Sequence, residues 1–338
     1  MRKITLLFIC LIFAGITFGQ ANWELIYEQE GNGGLMINNL SSDGVEYDVF
    51  VSGDRKNSYL AHHVSKINQW TKDQKWAQNF LKLSINANSD PQDIFVLGKD
   101  VWVCGYSGMV SHSDDHGYEG TWNSQATPGN NLLLESIWFT DENNGWAVGR
   151  GAAIIYTKNG GKTWNIYKSP VNVFFSRVFF TDKNNGYILG MQRDASNRGV
   201  ILKTTNAGKT WIPYNFKTNA QIINGMYFYD SQDGWVCGDG GIISHTTNGG
   251  RTWEKQQWYI DGKHSLNDIH FVSPDEGWTC GVRGLLYHTT DAGENWVEVN
   301  IGETREFVAI EFNGPYIGWV TTSRKVYQLM DSRFKDHR

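Results

Sequence analysis

The sequence predicts an all-β chain folded as a seven-bladed β-propeller of four-stranded antiparallel blades, with the N-terminal strand closing the last blade. Three observations lead there. A unit of about 43 residues recurs along the chain and ends each time on a tryptophan. Within each unit, short β-branched and aromatic runs alternate with turn residues, and no helical period appears. The composition agrees: 37 Gly, 15 Trp, 15 Tyr and 17 Phe against 6 Pro in 338 residues are the ingredients of short strands and tight turns.

Taken in chain order, residues 1–19 read as a secretory signal peptide. Arg2 and Lys3 precede an uncharged apolar run from Ile4 to Phe18, too short for a spanning helix, and Thr17 and Gly19 suit cleavage just before Gln20. No later run is apolar enough to span a bilayer, so no transmembrane segment is expected after cleavage. Export to the periplasm, the cell surface or the medium follows. A mature chain with 28 basic and 35 acidic residues carries a net charge near −7, which excludes a protein that binds nucleic acid by neutralising phosphates.

Residues 20–338 form a single propeller domain in this reading. The first blade, about 30–80, is a degenerate copy. The next five, about 94–122, 136–167, 176–215, 223–257 and 267–299, end on Trp122, Trp164, Trp211, Trp253 and Trp296, at spacings of 42, 47, 42 and 43 residues. In the clearest copy, Ile137–Phe139 is the inner strand and Trp146–Val148 the second. Ile154–Tyr156 is the third, and Trp164–Tyr167 the fourth. The last copy, 308–330, stops after its third strand. Residues 22–28 (NWELIYE) have the form of the missing strand, matching NWVEV at 295–299, and are expected to complete it, which removes two exposed sheet edges.

Removal of the leader takes Cys10 with it, leaving Cys104, Cys237 and Cys280 at one equivalent second-strand position, where another copy has Val148. A slot that accepts Val is apolar, and equivalent positions one blade apart are too distant for a disulfide, so three buried free thiols are expected.

Five turns between third and fourth strands share Ser/Thr-x-Asp/Asn-x-Gly-x-Thr/Asn-Trp: TKNGGKTW, TTNAGKTW, TTNGGRTW, TTDAGENW and the longer SDDHGYEGTW. The pattern is identified as the Asp-box, or bacterial neuraminidase repeat. Its structural residues are Asp115, then Asn159, Gly161 and Trp164, Asn206, Gly208 and Trp211, Asn248, Gly250 and Trp253, and Asp291, Gly293 and Trp296. The Asx side chain bonds backbone N–H groups across the turn, Gly permits positive φ, and Trp packs between hairpins. With the upstream Gly-Trp-x-x-Gly segment, the unit resembles the repeat of the photosystem II stability/assembly factor family, over residues 94 to 330. That resemblance implies a seven-bladed propeller acting as a non-catalytic assembly factor that binds protein partly through an arginine-rich surface. The leader is similar to that of exported bacterial members.

Candidate sites lie where the copies differ. Loops joining second to third strands, and those between blades, carry Arg150, Arg193, Arg198, Asp239, Arg283 and Arg324, with Arg177 on an inner strand and Arg305 in a blade connection. Arg150, Arg177, Arg193, Arg283, Arg305 and Arg324 are the candidate partner-binding set, since guanidinium forks anchor interfaces; separately solvated turn arginines are the alternative. Inner-strand Glu135, Arg177, Asp268, His270 and Glu311 are expected near the central channel mouth. No spacing fixes two of the carboxylates as an acid/base pair. His112, His245 and His288 share one third-strand position with Tyr156 and Lys203, which favours packing over metal binding. The Gly-rich turns lack the helix that would hold a phosphate. No cofactor, metal or catalytic residue is assigned.

The reading is therefore an exported, non-catalytic, monomeric scaffold for protein partners in the envelope or a secreted complex. The alternative is a sialidase-like or other carbohydrate-active hydrolase on the same propeller. Sialidases carry an Arg-Ile-Pro motif, which this chain lacks.

Overall fold

The computed structural model describes residues 22–28, 36–42, 46–52 and 60–66 as strands, and 91–330 except 116, 118–119, 193–198, 216–221, 257–263 and 316. The expected leader, 1–19, and Arg193 and Arg198 lie outside the described residues.

Strand β1 (Asn22–Glu28) is followed by β2 (Met36–Ser42), β3 (Glu46–Ser52) and β4 (Leu60–Lys66). The next blade holds β5 (Pro91–Leu97), β6 (Asp100–Gly105), β7 (Val110–Ser113) and β8 (Trp122–Ser124). Then come β9 (Leu134–Phe139), β10 (Gly145–Gly149), β11 (Ala153–Thr157) and β12 (Asn165–Ile166). The following unit is β13 (Phe174–Phe180), β14 (Gly186–Met191), β15 (Gly199–Thr204) and β16 (Ile212–Asn215). After it stand β17 (Ile223–Phe228), β18 (Gly234–Gly238), β19 (Ile243–Thr246) and β20 (Glu254–Lys255). The last units are β21 (Leu266–Phe271), β22 (Gly277–Gly281), β23 (Leu286–Thr289), β24 (Val297–Glu298), then β25 (Phe307–Asn313), β26 (Ile317–Thr322) and β27 (Lys325–Met330).

Six four-stranded antiparallel sheets result, and the sixth is β1-β27-β26-β25, in which Trp23 pairs with Leu329 and Glu24 with Gln328. The expected count of seven four-stranded blades is corrected: among the described residues six are four-stranded, and β2-β3-β4 is a three-stranded sheet. This copy has neither the Gly-Trp-x-x-Gly segment nor the Asp-box of its neighbours, and residues 67–90, which follow β4, lie outside the described residues. Inner strand β2 runs alongside both β25 and β5. No helix among the described residues is long and apolar enough to cross a membrane.

One ring ladder holds adjacent blades together. At or next to the end of an inner strand stands Phe139, Phe180, Phe228, Phe271 or Phe312, paired across the sheet with Gly145, Gly186, Gly234, Gly277 or Gly318. A Cβ at Gly145 or Gly277 would lie 2.5 or 2.6 Å from the ring, so only glycine leaves room for it. The second-strand ring of the preceding blade covers one face of the Phe: Trp102 on Phe139 at 3.9 Å, Tyr187 on Phe228 at 3.6 Å, Trp235 on Phe271 at 3.5 Å. The Asp-box Trp meets the Phe edge-on, as Trp164 does Phe139 at 5.9 Å and Trp296 does Phe271 at 6.0 Å.

The box turns themselves follow from local hydrogen bonding. The Thr157 hydroxyl accepts from Gly161 N at 2.9 Å and donates to Asn159 Oδ1, which also accepts from Thr163 N at 3.0 Å. Thr204 with Asn206, Thr246 with Asn248, and Thr289 with Asp291 repeat this. In the longer copy Ser113 accepts from Asp115 N and Gly117 N. Gly161 and Gly250 sit at φ 88° and 83°, where a side chain is strained.

Cys104, Cys237 and Cys280 are buried free thiols, and burial holds them well above the usual thiol range.

Candidate functional site

The inner strands build the channel, and each carries a β-bulge, so two residues oppose one on the second strand. The residue after the bulge is Asp93, Ser136, Arg177, Gly225, Asp268 or Ala309. An inner strand exposes its outer N–H groups to the channel, and the preceding blade satisfies several of them. Asp93 accepts from Ile137 N at 2.9 Å, Ser136 from Val178 N at 3.1 Å, and Asp268 from Ile310 N at 3.2 Å. These side chains latch each blade to the next.

Arg177 reaches across the blade between them to Asp268, Nη1 to Oδ1 at 2.9 Å, with Asp268 3% exposed. Burial opposes the guanidinium charge, and the Asp268 carboxylate more than offsets it. Asp93 has no such ion pair among the described residues: burial raises its carboxyl to about 6 against the lowering effect of Ile137, Ser136 and Arg177.

One step further along the inner strands, Phe95, Trp138, Phe179, Tyr227 and His270 form a continuous belt, with successive centroids 4.8, 4.9, 5.8 and 4.3 Å apart. His270 Nδ1 lies 3.7 Å from Glu311. The cavity lined by latch and belt is about 80 Å³, room for several waters.

The rim at the inner-strand starts bears the turns between second and third strands; the Asp-box turns lie at the opposite end. Here Arg150, from the β10–β11 turn, donates Nε to Glu135 at 2.6 Å and Nη2 to the Tyr106 hydroxyl. Tyr106 in turn donates to Glu135 at 3.0 Å. The guanidinium lies 4.9 Å from the Tyr106 ring and 5.2 Å from Phe174, and the side chain keeps 40% exposure. A second cluster surrounds Glu303. Its carboxylate takes the Tyr327 hydroxyl at 2.7 Å, the backbone N–H groups of Thr304 and Arg305, and Lys325 Nζ at 3.3 Å. Against the cost of burial, those donors lower it to about 2. The β22–β23 turn carrying Arg283 closes on Glu303, because a Cβ at Gly284 would strike its carbonyl.

The candidate arginines thus divide. Arg283 and Arg305 are exposed around Glu303, and Arg324 belongs to the turn that supplies Lys325. Arg150 forms its own cluster. Arg177 is committed to the channel ion pair. Of the channel candidates, Arg177, Asp268, His270 and Glu311 line the cavity, whereas Glu135 sits at the rim with Arg150. Asp239 of the β18–β19 turn accepts from Asn224 at 3.1 Å.

Residue-type reasoning passed over Asp93, Ser136, Tyr106, Phe174 and Glu303. The first two had a signal, since they stand in the alignment column of Arg177 and Asp268. Tyr106, Phe174 and Glu303 have none, because each acts on a residue from another strand or blade.

The three histidines are placed alike. His112, His245 and His288 stack on Trp102, Trp235 and Trp278 at 4.6, 4.4 and 4.0 Å. Each Nε2 meets a carboxylate, Asp100 at 2.7 Å, Asp233 at 2.6 Å and Glu276 at 3.0 Å. Where the histidine gives way to Tyr156 or Lys203, the acid gives way to Asn144 or Asn185.

Solved structures with this architecture include "YCF48 bound to D1 peptide", 17% identical, covering 93% of this chain and 96% of that one at a TM-score of 0.70. YCF48 from Cyanidioschyzon merolae is 16% identical, with 92% and 99% coverage and a TM-score of 0.67. An ancestral GH74 enzyme, 17% identical, matches 68% of this chain and 34% of its own at 0.57. At these identities the likeness is one of fold. No curated protein matches the sequence. The sequence profile described as photosynthesis system II assembly factor YCF48 matches residues 118–217, 164–261 and 211–305, together more than half of the chain, and the chain belongs to that family.

Proposed function

We propose that the chain is an exported, non-catalytic propeller that holds a protein partner during assembly of a complex, using the rim opposite the Asp-box turns. The observation that carries this is the Arg150 cluster. The guanidinium is bonded by Glu135 and Tyr106, its carbon lies over the Tyr106 and Phe174 rings, and it remains 40% exposed. An arginine held in one rotamer binds a carboxylate without the entropy cost of being ordered. Arg283, Arg305 and Arg324 extend the same chemistry along the rim. A family member has been solved bound to D1 peptide, which supports a protein segment as ligand. The channel carboxylates support the non-catalytic reading, because Asp93 and Asp268 are occupied by backbone N–H groups and Asp268 also by Arg177. The three-stranded sheet, with β2 beside β25 and β5, would be the seventh unit of the ring.

The test is titration of the purified chain with D1 peptide and with acidic peptides crosslinked to it in the envelope. Wild type is expected to bind and the Arg150→Ala, Arg283→Ala, Arg305→Ala, Arg324→Ala variant to lose about tenfold or more. Equal binding by the variant removes the rim from the reading, and reproducible glycan hydrolysis by the pure protein overturns the non-catalytic part. Export is checked separately: the mature N-terminus is expected at Gln20.

A further inference from the structure

The inner-strand bulges each leave one residue without a partner on the second strand: Gln92, Glu135, Ser176, Asn224, Asn267 or Val308. Two of these bond the first residue of the turn between second and third strands in their own blade. Asn224 Nδ2 donates to Asp239 Oδ1 at 3.1 Å, and Glu135 Oε1 accepts from Arg150 Nε at 2.6 Å. Glu135 is the one charged member of the six, since Gln, Ser, Asn, Asn and Val fill the equivalent place elsewhere. The bulge itself therefore does not require a carboxylate at 135.

What the carboxylate does is visible in the hydrogen bonds of Arg150. Nε goes to Glu135 and Nη2 to the Tyr106 hydroxyl, which itself donates to Glu135 Oε1 at 3.0 Å. Both bonds lie on the lateral edge of the guanidinium. Nη1 makes no hydrogen bond among the described residues, so the end edge, Nη1 with the second Nη2 proton, is open to a ligand. The Arg150 side chain is 40% exposed and that of Glu135 15%, so the acid sits behind the base and solvent meets the open edge. Backbone bonds hold the pair in register, because Arg150 N donates to Leu133 O at 2.8 Å, beside the bulge that carries Glu135. Glu135 is the one carboxylate in ion-pair contact with Arg150 among the described residues, and the pair has no net charge.

We propose that Glu135 is a specificity-determining residue of the rim, which sets the open edge of Arg150 to accept a monoanionic carboxylate and to reject a dianionic phosphomonoester. The inference deepens the rim reading above and rests on it. Two N–H groups on one edge match the two oxygens of a carboxylate, and a phosphoryl group can use the same two donors. An arginine standing alone favours the phosphoryl group, which carries about −1.5 to −2 at pH 7 and attracts the guanidinium more strongly. With Glu135 directly behind the guanidinium, that added charge is repelled as much as it is attracted, while the number of hydrogen bonds stays the same. The carboxylate then binds better, and the difference between the two anions is set by a repulsive element built into the site.

The test is titration of the full chain at pH 7.5 with N-acetylglycine and with methyl phosphate, followed at the Arg150 Nε–H resonance, assigned with Arg150→Lys. N-acetylglycine is expected to shift that resonance to saturation and to bind about fivefold or more tightly than methyl phosphate. In Glu135→Gln, which places at the bulge the residue type that Gln92 has in its own, the preference is expected to invert. Tyr106→Phe removes a hydroxyl and no charge, so it is expected to weaken both anions alike and keep their order. Methyl phosphate binding to wild type as tightly as N-acetylglycine, an unchanged ratio in Glu135→Gln, or an inverted ratio in Tyr106→Phe each overturns the role of Glu135 and leaves the rim reading standing. No shift with either anion overturns both.

Discussion

Trp235 of one blade lies flat on Phe271 of the next, 3.5 Å between ring centroids and 10° between ring planes, with both side chains fully buried. His245 covers the other face of the same indole at 4.4 Å. Removing a buried ring from such a stack opens a cavity that neighbouring sheets cannot close. Phe271→Ala is therefore expected to lower unfolding free energy by about 3–5 kcal/mol, and Gly277→Ala, which forces a Cβ against that ring, by about 1–3 kcal/mol. Denaturant melts measure both, and losses within experimental error would contradict the ladder.

The box turns predict a sharper chemical distinction. Asn248 Oδ1 accepts from Thr252 N at 2.9 Å and from the Thr246 hydroxyl at 3.0 Å. Asn248→Ala is expected to cost about 1–2 kcal/mol, the range for losing a partly buried acceptor. Asn248→Asp is expected to be close to neutral, because in the equivalent turn Asp291 Oδ1 accepts from Asn295 N at 2.8 Å. Thermal melts of the two variants give the comparison, and equal losses would reject the acceptor role.

Ala292 occupies φ 58° where two aligned copies have Gly160 and Gly249 and a third has Ala207, at φ 55°. A left-handed alanine carries roughly 1–2 kcal/mol of strain, and glycine returns up to about 1 kcal/mol of that as unfolded-state entropy. Ala292→Gly is expected to raise the melting temperature slightly. A clear fall would mean the methyl group packs usefully.

Two carboxyls set opposite pH responses. Asp93 is raised from 3.8 to about 6 by burial, so its ionisation disfavours the folded state, and stability rises as pH falls from above 6 toward 3.8. Glu303 is lowered from 4.5 to about 2, so its contribution is full above 4.5 and is lost as pH falls toward 2. Asp93→Asn is expected to flatten the slope between those first two values and leave the acid limb in place, read from denaturant midpoints across pH. A persistent slope would assign it to another group.

Deleting residues 22–28 removes the outer strand paired with β27 and uncovers Trp278, against which Trp23 packs edge-on at 5.6 Å. A sharply lower melting temperature and concentration-dependent aggregation are expected, since both β27 and an apolar face become exposed. An unchanged melt would show that closure does not rest on this strand.

The repeat, the strand content of each copy, the Asp-box turns and the shared slot of the three cysteines were legible in the sequence because each is local. A turn of eight residues contains its own acceptor, its own positive-φ glycine and its own Trp. The first blade is the least legible copy for the complementary reason: it lacks the local Gly-Trp-x-x-Gly and Asp-box signals, so only ring arithmetic speaks for it, and three of its strands are described. Among the candidate arginines, Arg283, Arg305 and Arg324 fell on the expected rim, since loop position follows from strand order alone.

What the sequence by itself determined, then, is the period and the identity of each strand. The tertiary structure alone decided that Arg177 would join Asp268 two blades away instead of facing a partner, and that Arg150 would be gripped by Glu135, Tyr106 and Phe174. These outcomes depend on bulges that turn particular inner-strand side chains toward neighbouring strands or the channel, and on spacing between sheets far apart in the chain. A single-residue pattern carries no record of either.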